Sequence, residues 1–124
     1  MPAPIILLAE DELIIRRAMQ AALEEEGFVV RTATDGDDGC AVLAEMKDNA
    51  PQLLITDVDM PGCGGEELAE YARKEHSQIK VLFTSGRPRP SLLKAIAADA
   101  NTRFLEKPFM PEALLLAIEE LGVA

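Results

Sequence analysis

Several kinds of functional site are closed to this chain by what it lacks. It has no tryptophan, one tyrosine, one histidine and two cysteines. Cys40 and Cys63 are too widely spaced in sequence for a metal-binding pair, and two cysteines make no disulfide framework, so both read as reduced thiols. The single histidine, His76, falls near the polar end of a helical segment and reads as a solvated side chain. No histidine-based nucleophile system is therefore available. Long apolar runs are missing too: the longest, Ala3 to Ala9, is far short of the roughly 20 residues that span a bilayer. No cleavable signal pattern opens the chain, and a cytoplasmic location is expected. Basic residues are few, 12 against 22 acidic ones, for a net charge of −10, and they form no run. That balance argues against binding nucleic acid through its phosphates.

What remains is the composition of a folded globular chain. Its 124 residues are 48% apolar and 27% charged, enough for one core and too few for two, so residues 1–124 read as a single domain. No internal repeat, low-complexity tract or linker interrupts them.

Hydrophobic patterning divides the chain regularly. Pro4 to Ala9 is a continuous apolar run, the pattern of a strand covered on both faces. Glu12 to Glu26 places Ile15, Met19, Ala22 and Leu23 at helical spacing, and Gly27 is its expected stop. Phe28 to Ala33 reads as a strand, followed by a weaker helical face through Cys40, Leu43, Ala44 and Met46. Gln52 to Asp57 is a third strand, and the turn-rich Met60 to Gly65 leads into a helix from about Glu66 to Glu75. Ile79 to Thr84 is a fourth strand. Ser91 is the expected N-cap of the next helix, Arg103 to Glu106 a short fifth strand, and Pro111 opens a last helix.

Five near-continuous strands alternating with five helices predict an α/β fold: a doubly wound parallel sheet with helices on both faces. Such sheets bind ligands beyond the carboxyl ends of their strands. The polar residues there are Glu10, Asp11 and Glu12 after the first strand, Asp57 and Asp59 after the third, Thr84 and Ser85 after the fourth, and Lys107 after the fifth. Two carboxylates about 4 Å apart repel by about 4 kcal/mol at an effective dielectric near 20, so a cation belongs among them. An all-oxygen donor set favours Mg2+ or Mn2+ over zinc. Lys107 and Ser85 would complete a pocket for a dianion. A carboxylate can itself accept a phosphoryl group, a transfer that depends on position and on charge neutralisation. Taken singly, the acidic cluster also suits a solvated helix start, and Asp57 or Lys107 an ordinary surface charge. Their joint placement on one sheet edge favours the functional reading.

Four ordered segments carry a resemblance to a known family: Leu7 to Glu12 (LLAEDE), Leu54 to Pro61 (LITDVDMP) with Gly65, Phe83 to Gly86 (FTSG), and Phe104 to Phe109 (FLEKPF). Over essentially its whole length the chain resembles the receiver domains of two-component response regulators. The resemblance implies the flavodoxin-like (βα)5 fold, strand order 2-1-3-4-5. It implies that Asp57 is the phosphoacceptor, that Asp11 binds Mg2+ directly and Glu10 directly or through water, and that Asp59 offers its backbone carbonyl. Either Thr84 or Ser85 could be the phosphate-sensing hydroxyl. Ser85 is chosen because a small residue, Gly86, follows it and because its interval to Lys107 matches the family's usual spacing. Phe104 takes the place of the aromatic switch, and the Lys107-Pro108 bond is often cis in receivers.

The implied partners are a sensor histidine kinase or histidine phosphotransfer protein upstream and a protein target downstream, reached through the face of the fourth helix, fifth strand and fifth helix. With no output segment read beyond the last helix, the active form is expected to bind another protein or pass phosphate on. A monomer is expected, with dimerisation on phosphorylation left open. The chain is not read as an enzyme with a separate substrate. Two departures stand out: Glu10 replaces the commoner aspartate, and Gly62 to Gly65 lacks the usual acidic residue before its last glycine. Asp59 and Arg87 stand where receivers tune hydrolysis, and they are expected to pair across the mouth of the pocket. Asp57-Val58-Asp59 also imitates the motif of haloacid-dehalogenase phosphatases, but the further acidic pair of that class is missing.

Overall fold

The computed structural model describes residues 3–123. Its strands are β1 (Ile5–Ala9), β2 (Val29–Ala33), β3 (Leu53–Asp57), β4 (Lys80–Ser85) and β5 (Thr102–Glu106). Its helices are α1 (Leu13–Glu25), α2 (Gly36–Glu45), α3 (Gly65–Glu75), α4 (Pro90–Ala97) and α5 (Pro111–Glu120). The five strands form one sheet in the order β2-β1-β3-β4-β5, every neighbouring pair parallel. This is the doubly wound α/β fold that the sequence predicts.

Side chains along a strand alternate between faces, and here both faces are apolar. Leu7, Ala9, Leu54, Val81 and Phe83 pack toward Val42 and Leu43 of α2, Leu68 and Ala72 of α3, and Leu92 and Ile96 of α4. On the other face Ile6, Leu8, Leu53, Ile55 and Leu82 meet Met19 and Leu23 of α1 and Leu114 and Ile118 of α5. Continuous apolar sequence in β1, β3 and β4 thus follows from burial on both sides. The edge strand β2 departs from it, with Val29 and Arg31 exposed. The chain leaves β1 toward β2 and returns to β3 on β1's other side, which opens a crevice at the carboxyl ends of β1 and β3.

Local signals set the helix ends. Gly27 adopts φ +95 after α1, and the Phe28 N–H reaches back to the Leu23 carbonyl at 3.2 Å, the bonding of a Schellman cap. At the start of α2 the Asp35 carboxylate accepts from the Asp38 N–H at 2.8 Å, while Asp38 accepts from the Thr34 N–H at 2.9 Å. These two bonds fix the start of a helix whose apolar face is weaker in sequence. Asp35→Ala should therefore cost about 1 kcal/mol, read as a lowered urea midpoint with an unchanged slope.

Two local expectations are corrected. Ser91 does not cap α4: Arg89 holds the cap position and Pro90 begins the helix. Proline has no N–H to satisfy and a φ already helical, so it outcompetes a serine one residue later. Nor is His76 a fully solvated side chain: the residue is only partly exposed, and its Nε2 is buried without a hydrogen-bond partner among the described residues. The chain turns back at once after α3, the Ile79 N–H bonding the His76 carbonyl at 3.0 Å.

Candidate phosphoacceptor site

The crevice beyond β1 and β3 gathers the polar strand ends. Asp57 is the last residue of β3 and is nearly buried, as is Glu10 just beyond β1. The Glu10 backbone is fixed on both sides: its N–H bonds the Ala33 carbonyl at 3.1 Å, and its carbonyl accepts from the Arg16 guanidinium at 2.7 Å. Glu10, Asp11 and Asp57 each offer a carboxylate oxygen, all within 4.8 Å of one another. Asp11 is the exposed member, open to solvent at the mouth.

Lys107 enters from the end of β5 and joins two of the three acids. Its Nζ donates to Glu10 Oε1 at 2.7 Å and to Asp57 Oδ2 at 3.0 Å. Its position is held by its own backbone N–H, which donates to the Ser85 carbonyl at 2.9 Å, and the Lys107-Pro108 peptide that follows is cis. Burial alone would lower the Lys107 pKa, but the bonds from Glu10 and Asp57 outweigh it and hold the value above the ordinary 10.5. For Glu10 the balance tips the other way. Burial raises its pKa above 4.5 although Lys107 and the Glu12 N–H both favour the carboxylate. One ammonium does not neutralise three acids, and oxygen donors are the ligands that hard divalent ions such as Mg2+ and Mn2+ take. The donor set fits such an ion.

The remaining strand-end residues surround Asp57. Its Oδ1 accepts from the Asp59 N–H at 3.1 Å. Thr84 pairs with Asp57 in the β3–β4 register, and both Thr84 and Ser85 are buried. Ser85 Oγ donates to Asp59 Oδ2 at 3.3 Å and accepts from the Arg87 N–H at 2.9 Å. Arg87 itself is exposed, and no ion pair joins it to Asp59 among the described residues. The expected Asp59–Arg87 pairing is therefore corrected. The Ser85 hydroxyl occupies the Asp59 carboxylate, and Arg87 is tied in through its backbone. Phe104 lies opposite Phe83 in the β4–β5 register, half-buried against the apolar layer that includes Leu92 and Ile96.

Sequence reasoning missed the role of Arg16 in fixing the Glu10 backbone, since a single arginine on a helix carries no signal of a loop contact. It also missed that Cys63 packs on the start of α2, a consequence of how the β3–α3 loop folds.

The family model described as response regulator receiver domain matches residues 6–119. The response regulator receiver protein CpdR of Brucella abortus is 34% identical over 119 residues, covering 96% of this chain and 97% of CpdR. The aerobic respiration control protein ArcA of Escherichia coli is 35% identical over 124 residues, and the match spans 98% of this chain but 49% of ArcA. In the sensor kinase CckA of Brucella abortus, 32% identical, the match spans 12% of the relative. Among solved structures, the chemotaxis protein CheY4 of Vibrio cholerae superposes with a TM-score of 0.83 at 27% identity, covering 96% of this chain and 98% of that one. The chain belongs to the response regulator receiver domain family of two-component signalling.

Proposed function

We propose that Asp57 accepts a phosphoryl group from a sensor histidine kinase or histidine phosphotransfer protein. The observation that carries this reading is the Lys107 ammonium bound at once to Glu10 and Asp57 in a three-acid crevice. An Asp57 oxygen attacks phosphorus, the phosphorus–nitrogen bond of the phosphohistidine breaks, and the imidazole keeps the electron pair. Glu10, Asp11, Asp57 and the Asp59 backbone carbonyl would hold Mg2+, with Mn2+ an alternative. When bound, the metal supplies positive charge against the phosphoryl oxygens. Lys107 contributes a second positive charge, and Ser85 leaves Asp59 to donate its hydroxyl to the phosphoryl group. Phe104, on the neighbouring strand two residues before Ser85's register partner Glu106, then turns toward the core and alters the α4-β5-α5 face presented to a downstream protein. The domain thus promotes phosphorylation and dephosphorylation of its own aspartate and turns over no separate substrate.

Intact mass after incubation with acetyl phosphate and Mg2+ tests the reading. Wild type should gain about 80 Da, and neither Asp57→Asn nor wild type in EDTA should. A gain that persists in Asp57→Asn overturns it. Asp59 and Arg87 are proposed to tune hydrolysis from opposite sides of Ser85. Asp59→Ala and Arg87→Ala should each change the phosphoryl lifetime by severalfold in a time course, and unchanged lifetimes in both would remove that role.

A further inference from the structure

Outside the crevice, the two cysteines that lie far apart in sequence meet in the fold. Cys63 belongs to the loop between β3 and α3, and its backbone rests on the first residue of α2. A Cβ on Gly36 would overlap the Cys63 carbonyl oxygen and lie 3.0 Å from the Cys63 Cβ. Cys40 stands one helical turn beyond Gly36 and so shares its face. Both cysteines are half-buried against one apolar cluster, and each thiol is close enough to alter the other's ionisation. Both are free.

We propose that Cys40 and Cys63 are a modification site, forming a reversible intramolecular disulfide that ties the β3–α3 loop to α2. The oxidant is a peroxide. A Cys40 thiolate attacks one peroxide oxygen; an S–O bond forms, the O–O bond breaks, and the departing hydroxide takes a proton to become water. The Cys63 sulfur then attacks the Cys40 sulfenic acid; the S–S bond forms, the S–O bond breaks, and a second water leaves. Two electrons pass from the sulfurs to the peroxide. Cys40 is the first nucleophile because burial, which raises the pKa of both thiols, is partly offset at Cys40 by the neighbouring Cys63 thiol. The Cys63 thiol is pushed up to about 11, first by burial and then by Cys40. Asp37 and Glu67 face both thiols and oppose ionisation, so the reaction is slow at neutral pH and faster in mild alkali.

The test uses the full chain, reduced and then treated with hydrogen peroxide in mildly alkaline buffer, without phosphodonor or Mg2+. Its outcome is therefore independent of the Asp57 reading. Non-reducing intact mass should show a loss of about 2 Da that dithiothreitol reverses, with peptide mapping joining residues 40 and 63. Cys40→Ser and Cys63→Ser should each abolish it. In the oxidised protein the amides of residues 62–64 should exchange at least tenfold more slowly than in the reduced protein. Oxygen addition or intermolecular dimers in place of the crosslink would overturn the proposal. A crosslink with unchanged loop exchange would overturn the tethering.

Discussion

Lys107→Met is expected to destabilise the domain by about 3 kcal/mol at pH 7 in metal-free buffer, because it leaves buried acids without their counter-charge. The side chains of Glu10 and Asp57 are 1% and 9% exposed, so water cannot replace the lost ammonium. Divalent ions should partly reverse the loss, since Mg2+ at a hundred times its Kd adds about 2.7 kcal/mol to any state that binds it. Urea titrations with and without Mg2+ measure both effects, and the variant should gain more from the ion than wild type does. The pH dependence follows from the two raised pKa values. The stabilising contribution of Lys107 is complete below 10.5 and is lost as pH rises through its higher folded value. Glu10 binds its proton more tightly folded than unfolded, so its favourable contribution is complete below 4.5 and falls away as pH rises above it. In EDTA, Glu10→Gln should therefore be more stable than wild type at neutral pH, with a flatter profile above 4.5. A less stable Glu10→Gln would contradict that balance.

Gly65→Ala should be the most damaging single-methyl change near the site, costing about 3 kcal/mol or more. Its Cβ would overlap the Asp57 carbonyl oxygen and come within 2.9 Å of the carbonyl carbon, at the residue that ends β3. Alanine improves helix propensity by about 1 kcal/mol over glycine, but a collision with backbone forces the strand end or the helix to move. Gly36→Ala meets the Cys63 backbone in the same way. Gly86 is the control: its Cβ would find nothing within 4 Å, and alanine there should stay within about 0.5 kcal/mol of wild type. Equal midpoints for Gly65→Ala and Gly86→Ala in urea would refute the packing argument.

These contrasts separate what could be read in the sequence from what could not. Apolar runs at β1, β3 and β4 are legible because both faces are buried, and the polar residues that end them mark the crevice without any coordinates. Strand order sets Glu10 beside Asp57, whereas Lys107 follows β5, two strands beyond β3, and reaches both acids only through the length of its side chain. Helix starts are less legible: Ser91 has the chemistry of a cap, yet Pro90 before it begins α4. Contacts between loops are the least legible. Nothing in local pattern places Ser85 on Asp59 instead of leaving Asp59 for Arg87, because a buried hydroxyl and an exposed guanidinium compete on solvation, which is a property of the folded crevice. The same holds for Cys40 and Cys63, brought together by a loop whose path is set by the close approach at Gly36 and Gly65.

The central claim is that Asp57, and no other acid of the crevice, carries the phosphoryl group. Borohydride reduction distinguishes them, because an acyl phosphate is reduced to the alcohol while free carboxylates are inert. After incubation with acetyl phosphate and Mg2+, peptide mapping should find homoserine at position 57, a loss of about 14 Da at that residue relative to aspartate. Homoserine at Asp11 or Asp59, the corresponding alcohol at Glu10, or no alcohol at any of the four would contradict the account.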